Sequence, residues 1–336
     1  MSKDGMGGRL SLALIAGVTM AGVLNAALGA WWLANRLALP SLSSSLPSRA
    51  FAWLAGADRG FYDRPGQFET GLVAANVIVG TSLYAALLAA WLGRWRVSLP
   101  LAVAIAAVEC YAVLITLWCG AVDGMPNLDR TMAAAASLLA IAGVWFALHL
   151  LLGGAAARDL ARRGAVGGRY KLKSADRWVL GLTLFYVLAA FLIELPWLLA
   201  SAELARLGGW FGALWAFYGR ADRGYFDLVS GFERGIESFH IFITQWLHIW
   251  LICAILQRWA HRVLLQLVVG SYVAFSTAVY LAAKHMTGYP LMPQHSAGAF
   301  LTLYLANLPW LLGNSWIAWQ GARGLTTLLA LPEPAS

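Results

Sequence analysis

Eight runs of about twenty mainly apolar residues, separated by charged or glycine-rich junctions, leave this chain few ways to fold. A run of that length crosses roughly 30 Å of hydrocarbon as a helix, and a helix satisfies its own backbone polar groups where no water can. The runs centre on Leu10–Leu33, Thr70–Leu92, Leu99–Trp118, Met132–Leu152, Trp178–Ala200, Ile236–Leu256, Val263–Ala283 and Ala299–Trp319. They predict an all-α integral membrane protein with about eight transmembrane helices. Composition agrees. Of 336 residues, 60% are hydrophobic and 12% charged, and the mean hydropathy is +0.67, more apolar side chain than a soluble core needs.

Positive charge sets the expected orientation. Arg94 and Arg96 follow the second run; Arg158, Arg162, Arg163, Arg169, Lys171, Lys173 and Arg177 follow the fourth; Arg258 and Arg262 follow the sixth. Those connections and both termini are expected on the cytoplasmic side, with the charges solvated. The net charge of +8 then reads as topology plus attraction to anionic lipid, not as nucleic-acid binding. Lys3 and Arg9 precede the first run as they would in a signal peptide, but the run is too long for a signal's apolar core and is read as a retained helix. Cys110, Cys119 and Cys253 fall in or beside the runs, so no disulfide framework, metal pattern or cofactor is expected.

The segment ADRGFYDRPGQFETG at 57–71 returns as ADRGYFDLVSGFERG at 221–235, an interval of 164 residues. The register continues from Arg94-Trp95 to Arg258-Trp259, and from Gly124 and Pro126 to Gly288 and Pro290. Two parallel four-helix units follow: 1–154, a basic linker 155–177, and 178–336. Asp58, Arg59, Asp63 and Glu69, with Asp222, Arg223, Asp227 and Glu233, are expected to form a structural, ion-paired cap at the non-cytoplasmic end of each unit, the alternative being a lid over a site.

Ionisable groups inside spans are costly and mark functional candidates. Glu194, Glu237 and Glu109 qualify. Their counterparts at the 164-residue interval are Ala30, Val73 and Val273, so the units have specialised and paired-carboxylate chemistry belongs to the second. On the sixth run, Glu233, Glu237, His240, Thr244 and His248 recur every three or four residues and are expected to share one helix face. Glu194-Leu195-Pro196-Trp197 and Asn307-Leu308-Pro309-Trp310 repeat one pattern, in which a proline bends the helix beside a polar residue.

In these residues the second unit resembles the EXPERA family, a group that includes a sterol Δ8–Δ7 isomerase, the sigma-2 receptor and the transmembrane-6-superfamily proteins. The resemblance covers about Leu192 to Trp319. It rests on Glu194, Leu214-Trp215, Tyr218-Gly219-Arg220-Ala221-Asp222, Glu237, the run Leu264–Val269, Tyr280, His285, and Asn307 with Trp310. The resemblance implies a pocket that contains Glu194, Glu237, Asn307 and Trp310. Trp197 and Tyr280 join Asn307 and Trp310 as expected substrate contacts. Two positions depart from the family: Ala190 stands where the isomerase has a histidine, and Thr277 replaces an acidic residue. His240, one turn from Glu237, is expected to supply the imidazole, making Glu194, Glu237 and His240 the expected catalytic set. The implied reaction shifts a ring double bond in a sterol or other polycyclic lipid, without a cofactor. One carboxyl delivers a proton, another group removes one, and an aromatic face steadies the carbocation between the two steps. The alternative is a membrane protein that holds or handles such a lipid without turnover. A metal-dependent oxidase would need more clustered histidines than the sequence offers.

Overall fold

The computed structural model describes residues 12–42, 45–54, 58–62, 65–122, 131–162 and 171–329. Asp63, Gly124 and Pro126 of the repeat, Lys3 and Arg9, and Arg163 and Arg169 of the linker lie outside the described residues. Among the described residues the fold is all-helical. Its helices are α1 (Leu12–Asn35), α2 (Leu46–Leu54), α3 (Gln67–Leu92), α4 (Ser98–Ala121), α5 (Met132–Arg162), α6 (Ser174–Ala200), α7 (Gly209–Tyr218), α8 (Gly231–Leu256), α9 (Arg262–Met286) and α10 (Ala297–Leu328). Seven of them, α1, α3 to α6, α8 and α9, are long and apolar enough to cross a bilayer, the build of a multi-pass membrane protein. Helix α10 has 32 residues, but Asn307, Pro309 and Asn314 interrupt its apolar run.

The interval of 164 residues recurs in the elements. Single 3-10 turns at Arg59–Phe61 and Arg223–Tyr225 are each capped by the preceding aspartate, which accepts from Gly60 N or Gly224 N. Helices α3 and α8 each contain one π-helical segment, Asn76–Gly80 and His240–Thr244. Arg94 and Arg258 both take positive φ, 54° and 60°, where the chain turns into the next helix.

One core joins the two halves. Phe68, Leu72, Tyr111 and Ile115 pack in the same cluster as Phe232, Phe239, Tyr272 and Phe275. Helix α9 is the most enclosed of the seven and lies between α10 on one side and α3 and α4 on the other. Small residues allow that approach. A Cβ at Gly71 would sit 2.5 Å from both Val279 O and the Ala283 Cβ, and one at Gly235 would meet Cys119 Sγ at 2.8 Å. Gly71→Ala therefore forces backbone apart, whereas Gly235→Ala meets a side chain that can rotate. We expect Gly71→Ala to lower stability by about 1–3 kcal/mol, and Gly235→Ala to cost less, read by thermal unfolding of the purified protein in detergent.

The structure changes three expectations. The linker is shorter than 155–177, because alanine-rich α5 continues to Arg162 and α6 begins at Ser174, where Asp176 accepts from Lys173 N. Arg262 is not solvated: it is 2% exposed and its Nε donates to Asp176 Oδ1 at 3.1 Å, since a guanidinium drawn inside needs a carboxylate. The charged residues at and before the start of α8 divide in two. Arg223 and Asp227 pair at the surface, 2.6 Å apart, while Asp222 and Glu233 turn inward to Lys284 at 2.7 and 2.5 Å.

Candidate functional site: a carboxyl–imidazole cluster in an aromatic chamber

Three helices deliver the polar groups. Glu194 ends a π-helical segment of α6, Ala190–Glu194, and His240 opens the one in α8. A π turn inserts a residue into the helical repeat and turns the following side chains out of register, a feature concentrated at functional sites. Here the π segments of α6 and α8 lie against each other. His240 Nδ1 lies 3.0 Å from Glu194 Oε2, with the two side chains 12% and 14% exposed. Donor atoms of Glu194, Glu237 and His240 all fall within 4.8 Å of one another.

The π turn also rearranges the polar stripe expected on α8. After His240 the contact steps by five residues, to Gln245, whose Nε2 is 3.2 Å from His240 Nε2. Gln245 Oε1 in turn lies 3.2 Å from His248 Nδ1. Thr244, expected on the same face, is buried beside Tyr272, and Gln245 takes its place. With His240 neutral, the donors run one way, from His248 through Gln245 and His240 to Glu194. Turning the Gln245 amide over accommodates a proton on His240 Nε2.

Glu237 has its own partner, which the sequence reading did not single out. Tyr225 donates its hydroxyl to Glu237 Oε1 at 2.6 Å. Burial first, then the neighbouring Glu237 charge, pushes the Tyr225 phenol far above its ordinary value, so it remains a donor. The signal was present: Phe61-Tyr62 stands 164 residues before Tyr225-Phe226, which moves a hydroxyl one position along the chain.

Helix α10 closes the chamber. The Trp310 ring meets His240 edge-on at 5.0 Å and stacks on Tyr186 at 4.5 Å; the Tyr186 hydroxyl donates to Pro309 O at 2.7 Å. Asn307 Nδ2 donates to the Tyr218 hydroxyl at 3.1 Å and to Leu303 O at 2.8 Å. A cavity of about 260 Å³ is bounded by Glu194, Tyr225, Glu237, Asn307 and Trp310 and reaches outward past Phe185, Leu214 and Ala306, which are exposed on the outer surface. A deeper recess of about 60 Å³ continues past His240, Ser276, Thr277 and Tyr280.

Of the expected substrate contacts, Trp197 lies outside both spaces, whereas Tyr280 lines the recess and spends only its hydroxyl elsewhere. Trp197 is fully buried and lines neither space; its indole N–H, once desolvated, needs an acceptor and finds Tyr225 O at 3.0 Å, so it positions Tyr225. Tyr280 lines the recess with its ring, but its hydroxyl donates to Asp222 Oδ2 at 2.5 Å. Glu109 stands apart in α4, where it accepts from Trp145 Nε1 at 2.9 Å. The first half still supports the chamber: Tyr111 donates to Ser276 Oγ at 2.6 Å, and Trp118 Nε1 to Ser238 Oγ at 2.8 Å.

Two carboxylates and one imidazole this close are also a donor set able to hold one metal ion, which the sequence reading had not assigned. No family model matches the chain, and neither a curated protein nor a solved structure matches it.

Proposed function

We propose that the chain is a tandem EXPERA-like membrane protein of eight spans, α10 being the eighth, with its basic connections cytoplasmic and its second half an isomerase site. The substrate is a sterol or similar polycyclic lipid that enters from the bilayer between α6, α7 and α10. The reaction moves a ring double bond from a Δ8-type to a Δ7-type position. The observation that carries this reading is the pair of proton-transfer groups, Glu194 with His240 and Glu237 with Tyr225, within reach of one ligand under the Trp310 indole.

Isomerisation adds a proton to one alkene carbon and removes another from a neighbouring carbon. Atoms and charge balance without an oxidant. One carboxyl supplies the first proton, and the opposing carboxylate–imidazole pair accepts the second. Exchange between Glu194, His240 and Glu237 then resets the site. The aromatic walls stabilise the intermediate cation without trapping it, and a lipid filling the chamber excludes the water that would hydrate it. At about 260 Å³ the outer space lies just under the range of roughly 300–1,000 Å³ usual for ligand pockets, so a fused-ring lipid would use the outward opening as well.

Purified protein incubated with a Δ8-sterol in deuterated water should yield a Δ7-sterol carrying solvent deuterium. Bound but unchanged sterol would favour the second reading, a lipid-binding protein; carboxyls beside an indole also suit a cationic amphiphile. The acid–base route further predicts that EDTA leaves turnover intact, whereas Zn²⁺ inhibits by tying up both carboxylates and His240. Loss of turnover in EDTA that added metal restores would overturn the acid–base reading.

A further inference from the structure

The interval of 164 residues pairs Asp58 with Asp222 and Glu69 with Glu233, and the structure places the two pairs alike. A Cβ at Gly60 would lie 2.5 Å from Glu69 Oε1 and 3.0 Å from Asp58 Oδ1; one at Gly224 would lie 2.6 Å from Glu233 Oε1 and 2.9 Å from Asp222 Oδ1. All four acids are at most 1% exposed. Around them the halves differ. In the second, the Lys284 ammonium contacts both acids, Tyr280 donates to Asp222, and Ser230 donates to Glu233. At the equivalent places the first half has Gly120, Thr116 and Gly66. A glycine brings no charge, and Thr116 donates to Ala112 O instead.

The first pair thus keeps the carboxylates and lacks the three side chains that satisfy them. Asp58 Oδ1 accepts from Gly60 N at 2.8 Å, but Asp58 Oδ2 and both Glu69 oxygens make no hydrogen bond of normal geometry among the described residues; the two carboxyls face each other, and Glu69 has only the backbone at Gly66 and its own N–H nearby. Two buried carboxylates left to each other repel, and burial alone already pushes the Asp58 carboxyl above its ordinary range. Within the same molecule, the same geometry holds an ammonium ion.

We infer that Asp58 and Glu69 bind a hard inorganic cation in the position that Lys284 fills in the second half. Three carboxylate oxygens and two negative charges suit Ca²⁺ best; Mg²⁺ gives up its water less readily. The inference stands apart from the isomerase reading and concerns the other half of the chain. The ion would tie the turn before α3 to that helix, as Lys284 ties α8 to α9.

The full chain, stripped with EDTA in detergent and held in choline chloride, is titrated with CaCl₂ or NaCl at matched ionic strength while thermal unfolding is followed. A ligand that binds only the folded state raises its melting temperature. The expected result is a saturable rise with Ca²⁺, one ⁴⁵Ca²⁺ retained per chain, and loss of both in Asp58→Asn/Glu69→Gln. That variant removes a buried repulsion, so in choline it should melt no lower than the stripped parent, which separates loss of the ion from loss of the fold. Glu237→Gln should keep the response, excluding the carboxyl cluster of the second half. A rise with Na⁺ alone sustains the inference and identifies the ion as monovalent. Equal behaviour in all salts, as when the pair shares a proton, overturns it. So does a response that survives Asp58→Asn/Glu69→Gln.

Discussion

Replacing Glu237 by Gln should reduce deuterium incorporation into a Δ8-sterol by about 10²–10⁴-fold, the usual span of a general acid or base, while leaving sterol binding nearly unchanged. The amide has the size of the carboxylate and its oxygen can still accept from the Tyr225 hydroxyl, so the chamber wall stays in place. On the proposed isomerase reading, what it loses is proton exchange at the reacting carbon. Glu194→Gln should behave the same way, because the amide oxygen still accepts from His240 Nδ1. Tyr225→Phe is the informative contrast. It removes one donor worth about 1 kcal/mol, so turnover should fall by roughly tenfold or less and binding should hold. If Glu237→Gln and Tyr225→Phe slow the reaction equally, Glu237 acts only through the hydrogen bond and the acid–base assignment fails. Turnover and equilibrium binding of a labelled sterol, measured on the same preparations, decide the matter.

Apolar runs made seven long helices legible, because a span's length is set by the bilayer and its ends by charge, both written directly in the residues. Glu194, Glu237, His240, Asn307 and Trp310 were legible for a related reason: polar groups inside such runs have few places to go except toward one another. What stayed hidden depended on register. A π turn changes no residue, yet it decides that Gln245 and not Thr244 follows His240, and no periodicity count shows it. Trp197 and Tyr280 carry the right chemistry for a ligand wall but spend their polar atoms on Tyr225 O and Asp222, long-range partners known only once the chain is folded. Lys284 was hidden more completely. A lysine near the end of an apolar run reads as an interfacial anchor, and only the packing of α9 under Asp222 and Glu233 shows it to be an internal counter-ion.

That counter-ion sets the largest expected change in stability. Lys284 is 2% exposed and its ammonium bridges Asp222 and Glu233, so Lys284→Met should keep most of the packing and leave two buried acids facing each other. Breaking a buried pair in this way costs about 3–5 kcal/mol, which should appear as a marked fall in the melting temperature in detergent. Burial already pushes the Asp222 carboxyl up against the pull of Lys284, and without the lysine nothing charged opposes that burial. Lys284→Met/Glu233→Gln should therefore recover part of the loss, because one acid fewer remains to repel Asp222. A simple sum of the two single effects would mean that the three groups act independently and that the buried triad is not the cause. The first half supplies a second control. It carries the same acids over Gly120, and if a cation does there what Lys284 does here, CaCl₂ should also restore part of the stability of Lys284→Met, whose second half then presents the same pair of carboxylates. Failure of Ca²⁺ to rescue this variant, alongside a clear response at Asp58 and Glu69, would show that Tyr280 and Ser230, still bonded to Asp222 and Glu233, occupy the oxygens an ion would need.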